Sequence, residues 1–134
     1  MDDTAERILR DSATIAVVGL SRDPAKEAHS VPAAMQAAGF RVIPVNPVAD
    51  TLLGERVYRS LTEIPEAVDV VNVFRPSHDA PAVARDAVRI GAKALWLQQG
   101  IVSAEARAIA EEAGLAYVED RCIAVVRAVA AIRK

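Results

Sequence analysis

Five short apolar runs recur along the chain at intervals of roughly 25 residues, and most stop at a polar or glycine-containing turn. They are Ile15-Ala16-Val17-Val18-Gly19, Arg41-Val42-Ile43-Pro44-Val45, Val68-Asp69-Val70-Val71-Asn72-Val73, Lys93-Ala94-Leu95-Trp96-Leu97 and Leu115-Ala116-Tyr117-Val118. Strands alternating with helices at this period build a parallel sheet. Every strand then ends on the same edge, where ligands of open parallel sheets bind. The tails Leu20-Ser21-Arg22, Asn46-Pro47, Phe74-Arg75-Pro76, Gln98-Gln99-Gly100 and Asp120-Arg121-Cys122 are expected to converge there.

A chain of 134 residues fits one domain, here 1–134, and a domain of this size buries roughly 70% of its unfolded surface. Ala, Val, Ile and Leu dominate a hydrophobic fraction of 52%, which suits helices packed on both faces of a sheet. The net charge of −2 predicts no strong field toward nucleic acid or a membrane surface. No apolar run approaches the ~20 residues that span a bilayer. The start Met1-Asp2-Asp3-Thr4 is acidic, unlike the basic start of a signal peptide. A single cysteine, Cys122, excludes an intrachain disulfide. The expectation is a cytoplasmic protein.

Asp3 to about Asp11 reads as a lead-in helix, followed by a strand over Thr14 to Gly19 and a loop over Leu20 to Ala28. The next helix is predicted from about Ser30 to Ala38, with Ser30 as N-cap, Pro32 in the first turn and Gly39 as the stop. The second strand contains Pro44, which donates to no ladder. Either that strand is only partly paired, or the proline nitrogen faces away from its neighbour. Ser60-Leu61-Thr62-Glu63 has capping-box spacing and predicts one helical turn. Further helices are predicted over about Asp79 to Ile90, Ser103 to Ala113 and Ile123 to Arg133. Trp96 lies inside an apolar strand and reads as core. Right-handed crossovers in a doubly wound sheet predict the strand order 3-2-1-4-5. The switch point then falls between strands one and four, flanked by Gly19-Leu20-Ser21-Arg22 and Leu97-Gln98-Gln99-Gly100.

The first turn argues against a dinucleotide site. Gly19-Leu20-Ser21-Arg22-Asp23-Pro24 has one glycine, so G-x-G-x-x-G is absent. The second strand ends in Asn46-Pro47 instead of the acid that holds a ribose hydroxyl. No P-loop motif exists. Arg22 and Lys26 stand beside a helix N-terminus able to receive anionic oxygens, and Arg75 stands at the end of the third strand. A ligand whose ribose bears a phosphate, such as coenzyme A, suits this pattern.

The chain resembles the small stand-alone CoA-binding proteins with a Rossmann-like fold, which are similar to the CoA-binding domain of the succinyl-CoA synthetase alpha subunit. The resemblance covers roughly residues 5 to 123. It is carried by Thr14-Ile15-Ala16-Val17-Val18-Gly19-Leu20-Ser21, Gly39-Phe40-Arg41-Val42-Ile43-Pro44-Val45-Asn46-Pro47, Leu53-Gly54-Glu55-Arg56-Val57-Tyr58, Val73-Phe74-Arg75, Leu95-Trp96-Leu97-Gln98-Gln99-Gly100-Ile101 and Asp120-Arg121-Cys122, in that order. It implies that Gly19, Leu20, Ser21 and Arg22 form a diphosphate loop. It further implies that Asn46 and Pro47 border the adenosine and its 3′-phosphate, that Phe74 and Arg75 cover the adenine, and that Gln98, Gln99 and Gly100 line the pantetheine path. Lys26 is a further candidate phosphate contact. The Ala/Val-rich segment Ala124 to Ile132 departs from the family pattern. His29 and His78 match no phosphohistidine site of the synthetase.

Cys122 reads either as a small buried hydrophobe or as a thiol near the CoA sulfur. No nucleophile–base pair, metal-ligand cluster or paired carboxylates stand out, so the first expectation is a CoA or acyl-CoA binding module without catalysis of its own. The alternatives are an NAD(P)-using enzyme and a redox or protein-interaction domain that uses CoA through Cys122. The Ala/Val-rich last helix suits a homo-oligomer, and a catalytic partner protein is the other expected associate.

Overall fold

A computed structural model describes residues 3–134. The chain runs α1 (Thr4–Arg10), β1 (Thr14–Val18), α2 (Glu27–Ala37), β2 (Arg41–Val45), β3 (Thr51–Leu52), β4 (Glu55–Arg56), a 3-10 turn (Leu61–Glu63), β5 (Val70–Val73), a second 3-10 turn (Ser77–Asp79), α3 (Ala80–Arg89), β6 (Ala94–Leu97), α4 (Ala104–Glu112), β7 (Ala116–Val118) and α5 (Ile123–Val129). The expected caps are present: Asp3 accepts from the first turn of α1, Ser60 and Glu63 form the capping box, and Ser103 accepts from Ala106 N at 3.0 Å.

Five strands form one parallel sheet in the order β2-β1-β5-β6-β7. The α/β Rossmann-like class is as the sequence predicts, but the strand order is not. Counted along the chain, the sheet strands stand 2-1-3-4-5 where 3-2-1-4-5 was expected. Pro44 supplies the reason. Paired with Val17 in the β1 ladder, it lies in an edge strand whose outer side carries a single bridge, Val45 to Tyr58. In the expected order that strand would be paired along both sides, and Pro44 would leave a ladder short of a donor. β5, buried at every residue, takes the place beside β1 instead. The switch point therefore lies between β1 and β5.

Side chains alternate across the sheet into two cores. Ile15, Val17, Val70, Ala94 and Trp96 face the layer that includes Leu9, Met35 and Ile123. Ala16, Val71, Val73, Leu95 and Leu97 face the layer that includes Ala84, Ala87 and Ala110. Alanines on α3 and α4 let these helices sit close to the sheet. Trp96 is fully buried, as expected, and its Nε1 donates to Arg121 O at 2.9 Å.

Two local expectations are corrected, and one element is new. Helix α2 begins at Glu27, about a turn before Ser30, so Pro32 lies inside it and Lys26 takes the N-cap position. Helix α5 ends at Val129, short of Arg133. There Ala131 turns left-handed (φ 54°), Ile132 is buried, and Lys134 N donates to Ala38 O at 2.8 Å. The β3–β4 hairpin was not expected. Leu53 and Gly54 make its two-residue turn with φ of 53° and 74°, a geometry whose usual signal is Asn-Gly. No helix among the described residues is long and apolar enough to cross a membrane.

Candidate functional site

The loop after β1 is shaped by Gly19. Its φ is +93°, and a Cβ added there would lie 2.7 Å from Phe74 O. Only glycine combines that backbone with that closeness. Gly19 N donates to Val45 O at 3.0 Å and Phe74 N to Val18 O at 2.9 Å, so the ends of β2, β1 and β5 are tied edge to edge.

The loop is then pinned to the helix it leads into. Ser21 N donates to Ala28 O at 3.0 Å. In an uninterrupted helix that carbonyl belongs to the N–H four residues on, but that residue is Pro32, which has none. The proline inside α2 thus frees an acceptor for the loop. His29 Nδ1 lies 2.7 Å from Ser21 O and, as the protonated ring nitrogen, donates to it. Asp23 N donates to Ser21 Oγ at 3.0 Å, which leaves the hydroxyl proton of Ser21 available. No side chain caps α2; Lys26 N and His29 N donate to Asp23 O and Lys26 O, which leaves the N–H groups of Glu27 and Ala28, at the positive end of the dipole, open to an anion.

Asn46 joins the second loop to the first. Its Nδ2 donates to Leu20 O at 2.9 Å, and its Oδ1 accepts from Val48 N at 2.8 Å and Ala49 N at 2.9 Å. Arg59 locks the same segment from outside: its Nη1 donates to Asn46 O at 3.0 Å and Ala49 O at 2.6 Å. Arg75 pairs with Asp79 at 2.8 Å. Arg22 and Lys26 have no ion-pair partner among the described residues.

These elements enclose a cleft of about 770 Å³ at the switch point, within the usual size range of small-molecule sites. Its lining brings together Gly19, Leu20, Ser21, Arg22, Lys26, Asn46, Pro47, Phe74 and Arg75, all singled out in the sequence. Four cationic side chains, Arg22, Lys26, Arg59 and Arg75, face it against the one carboxylate of Asp23. A chain of net charge −2 thus concentrates positive charge at this edge.

Gln98, Gln99, Gly100 and Cys122 do not line the cleft. The sheet order explains this, because β5 separates β6 from β1. Gln98 is buried and its Oε1 accepts from Ile123 N at 3.2 Å, while its Nε2 is buried without a partner. Gln99 is exposed, and Gly100 N donates to Asp120 Oδ1 at 2.7 Å. Cys122 is half-buried against the α1–α2–α5 core.

Sequence reasoning missed Arg59. Its place is set by the short extended stretch before it: Tyr58 N donates to Pro44 O at 3.1 Å and Asn46 N to Tyr58 O at 3.0 Å, which carries Arg59 to the rim.

The chain belongs to the CoA binding domain family, which matches residues 13–128. It is similar to the uncharacterized protein YneT of Bacillus subtilis, 45% identical over 124 residues and 92% of each chain. A solved hypothetical protein from Pyrococcus horikoshii is 32% identical with a TM-score of 0.93, covering 98% of this chain and 92% of that one. Residues of this chain also align with the ADP-forming acetate–CoA ligase II of Archaeoglobus fulgidus, 32% identical over 82 residues, which are 60% of this chain and 12% of the ligase.

Proposed function

We propose that this protein binds coenzyme A, free or acylated, in the cleft between β1 and β5, and that it has no catalytic activity of its own. The observation that carries the reading is the uncapped N-terminus of α2 beside Arg22 and Lys26, two cations without an ion-pair partner among the described residues, behind a loop that only Gly19 can form. This is a seat for a diphosphate. Phe74 and Pro47 supply apolar surface for the adenine, and Arg75 reaches a phosphate by releasing Asp79.

The polar groups around Ser21 tie backbone and do not form a relay. His29 Nδ1 is held on Ser21 O rather than Ser21 Oγ, and that hydroxyl accepts from Asp23 N. The ligase relative supports a role in presenting CoA to a catalytic partner. Val125 and Val129, both exposed on α5, are the surface for the expected homo-oligomer; a mass measurement in solution decides it. Gln99, Gly100 and Cys122 lie on the same sheet edge and form the path for the pantetheine arm, with the Cys122 thiol as its far contact and the buried Gln98 side chain holding Ile123 N beneath it.

Titration calorimetry with CoA tests the reading, using the wild type and Arg22→Ala/Lys26→Ala. Saturable one-to-one binding that weakens strongly in the double variant supports it. Binding of equal strength in the two proteins contradicts the site.

A further inference from the structure

We propose that Arg59 reads the phosphate monoester on the ribose of the bound nucleotide, and that Asp50 is the carboxylate it releases in exchange. This inference rests on the CoA-binding reading of the same cleft.

In doubly wound folds the end of the second strand is where the ribose is recognised. Here that position is Asn46, and its side chain is spent on Leu20 O, Val48 N and Ala49 N. Arg59 is the cleft-lining cation bonded to this segment, through Asn46 O.

Its guanidinium is divided in use. Both hydrogens of Nη1 go to carbonyls, Asn46 O and Ala49 O, which fixes the plane of the group. The other edge, Nε with Nη2, is the fork that grips a phosphate with two parallel bonds. On that edge Nε has no partner among the described residues. Nη2 holds Val48 O at 3.3 Å and Asp50 Oδ1 at 2.9 Å. The Asp50 side chain is 93% exposed, so the pair is solvated and weak. A dianionic monoester offers more charge and a bidentate fit, and it displaces the carboxylate while Nη1 keeps the loop in place. The diphosphate at α2 and the monoester at Arg59 then hold the nucleotide at two points.

The test measures dissociation constants of CoA and dephospho-CoA by calorimetry for the wild type, Arg59→Gln, Arg59→Lys and Asp50→Asn. The wild type is expected to prefer CoA by about tenfold or more. Arg59→Gln removes most of that preference, while dephospho-CoA binding moves by less than about threefold. Arg59→Lys keeps part of the preference. Asp50→Asn, at a fully solvated side chain that does not hold the fold, strengthens CoA binding and leaves dephospho-CoA unchanged. Equal weakening of both ligands in Arg59→Gln makes the residue a loop anchor only and overturns the assignment. So does an intact preference in that variant, or a silent Asp50→Asn. A wild type that binds both ligands equally overturns the monoester reader but leaves the CoA reading standing. A wild type that binds neither overturns both.

Discussion

The main-chain N–H of Ser21 donates to the carbonyl of Ala28 at 3.0 Å, an acceptor left free inside helix α2 because Pro32 has no N–H to take it. A helix defect is thereby turned into the anchor of the loop after β1. Proline inside a helix ordinarily destabilises by about 3 kcal/mol, so its presence here follows from what it releases. Pro32→Ala gives Ala28 O a competing helical donor. The expected outcome is a thermal midpoint that does not fall, together with a CoA dissociation constant raised several-fold. Calorimetry beside a melting curve checks both halves.

Gly19→Ala places a methyl group 2.7 Å from Phe74 O at a φ of +93°. Strain of this kind costs on the order of 1–3 kcal/mol, and the only relief is to push the β1 and β5 ends apart. Urea denaturation is expected to show a loss in that range, and CoA binding is lost with the loop.

In the proposed binding mode Arg22 and Lys26 act through charge. Hydrogen bonds to charged groups contribute about 1.5–3 kcal/mol, so each alanine variant is expected to weaken CoA binding by about tenfold or more. Rising salt narrows the gap between wild type and variant, because exposed charges are screened within a Debye length of about 10 Å at 0.1 M. Titrations at low and high salt check this.

Asp69 couples stability to pH. Burial pushes its carboxyl up, but the N–H groups of Ala13 and Thr14 and the Lys93 ammonium outweigh that and hold it below the ordinary carboxylate value. A depressed folded value stabilises above the unfolded value of about 3.9 and is lost as pH falls through the folded one. Asp69→Asn is expected to cost about 1–2 kcal/mol at pH 7. The deficit narrows toward pH 3, as denaturation at the two pH values would show.

The periodic apolar runs made the sheet, its helices and most of the cleft legible, because burial on both faces writes continuous apolar residues into strands such as Ala94–Leu97. Strand order was harder to read. It turns on one proline, Pro44, whose missing N–H suits a strand laddered along one side only. Pro32 misled in the other direction, since its helical role depends on a partner, Ser21, supplied from outside the helix. Arg59 escaped notice because its place depends on the Val45–Tyr58 bridge, a pairing too short to leave a pattern. The wrong strand order also drew Gln98 toward the cleft, whereas its amide is buried against Ile123 N.

Thermal unfolding under reducing conditions with CoA, NAD and NADP in parallel tests the central claim most directly. CoA at 100 times its dissociation constant is expected to stabilise the fold by about 2.7 kcal/mol, with no comparable effect from the dinucleotides. No shift with CoA, or a larger one with NADP, would contradict the account.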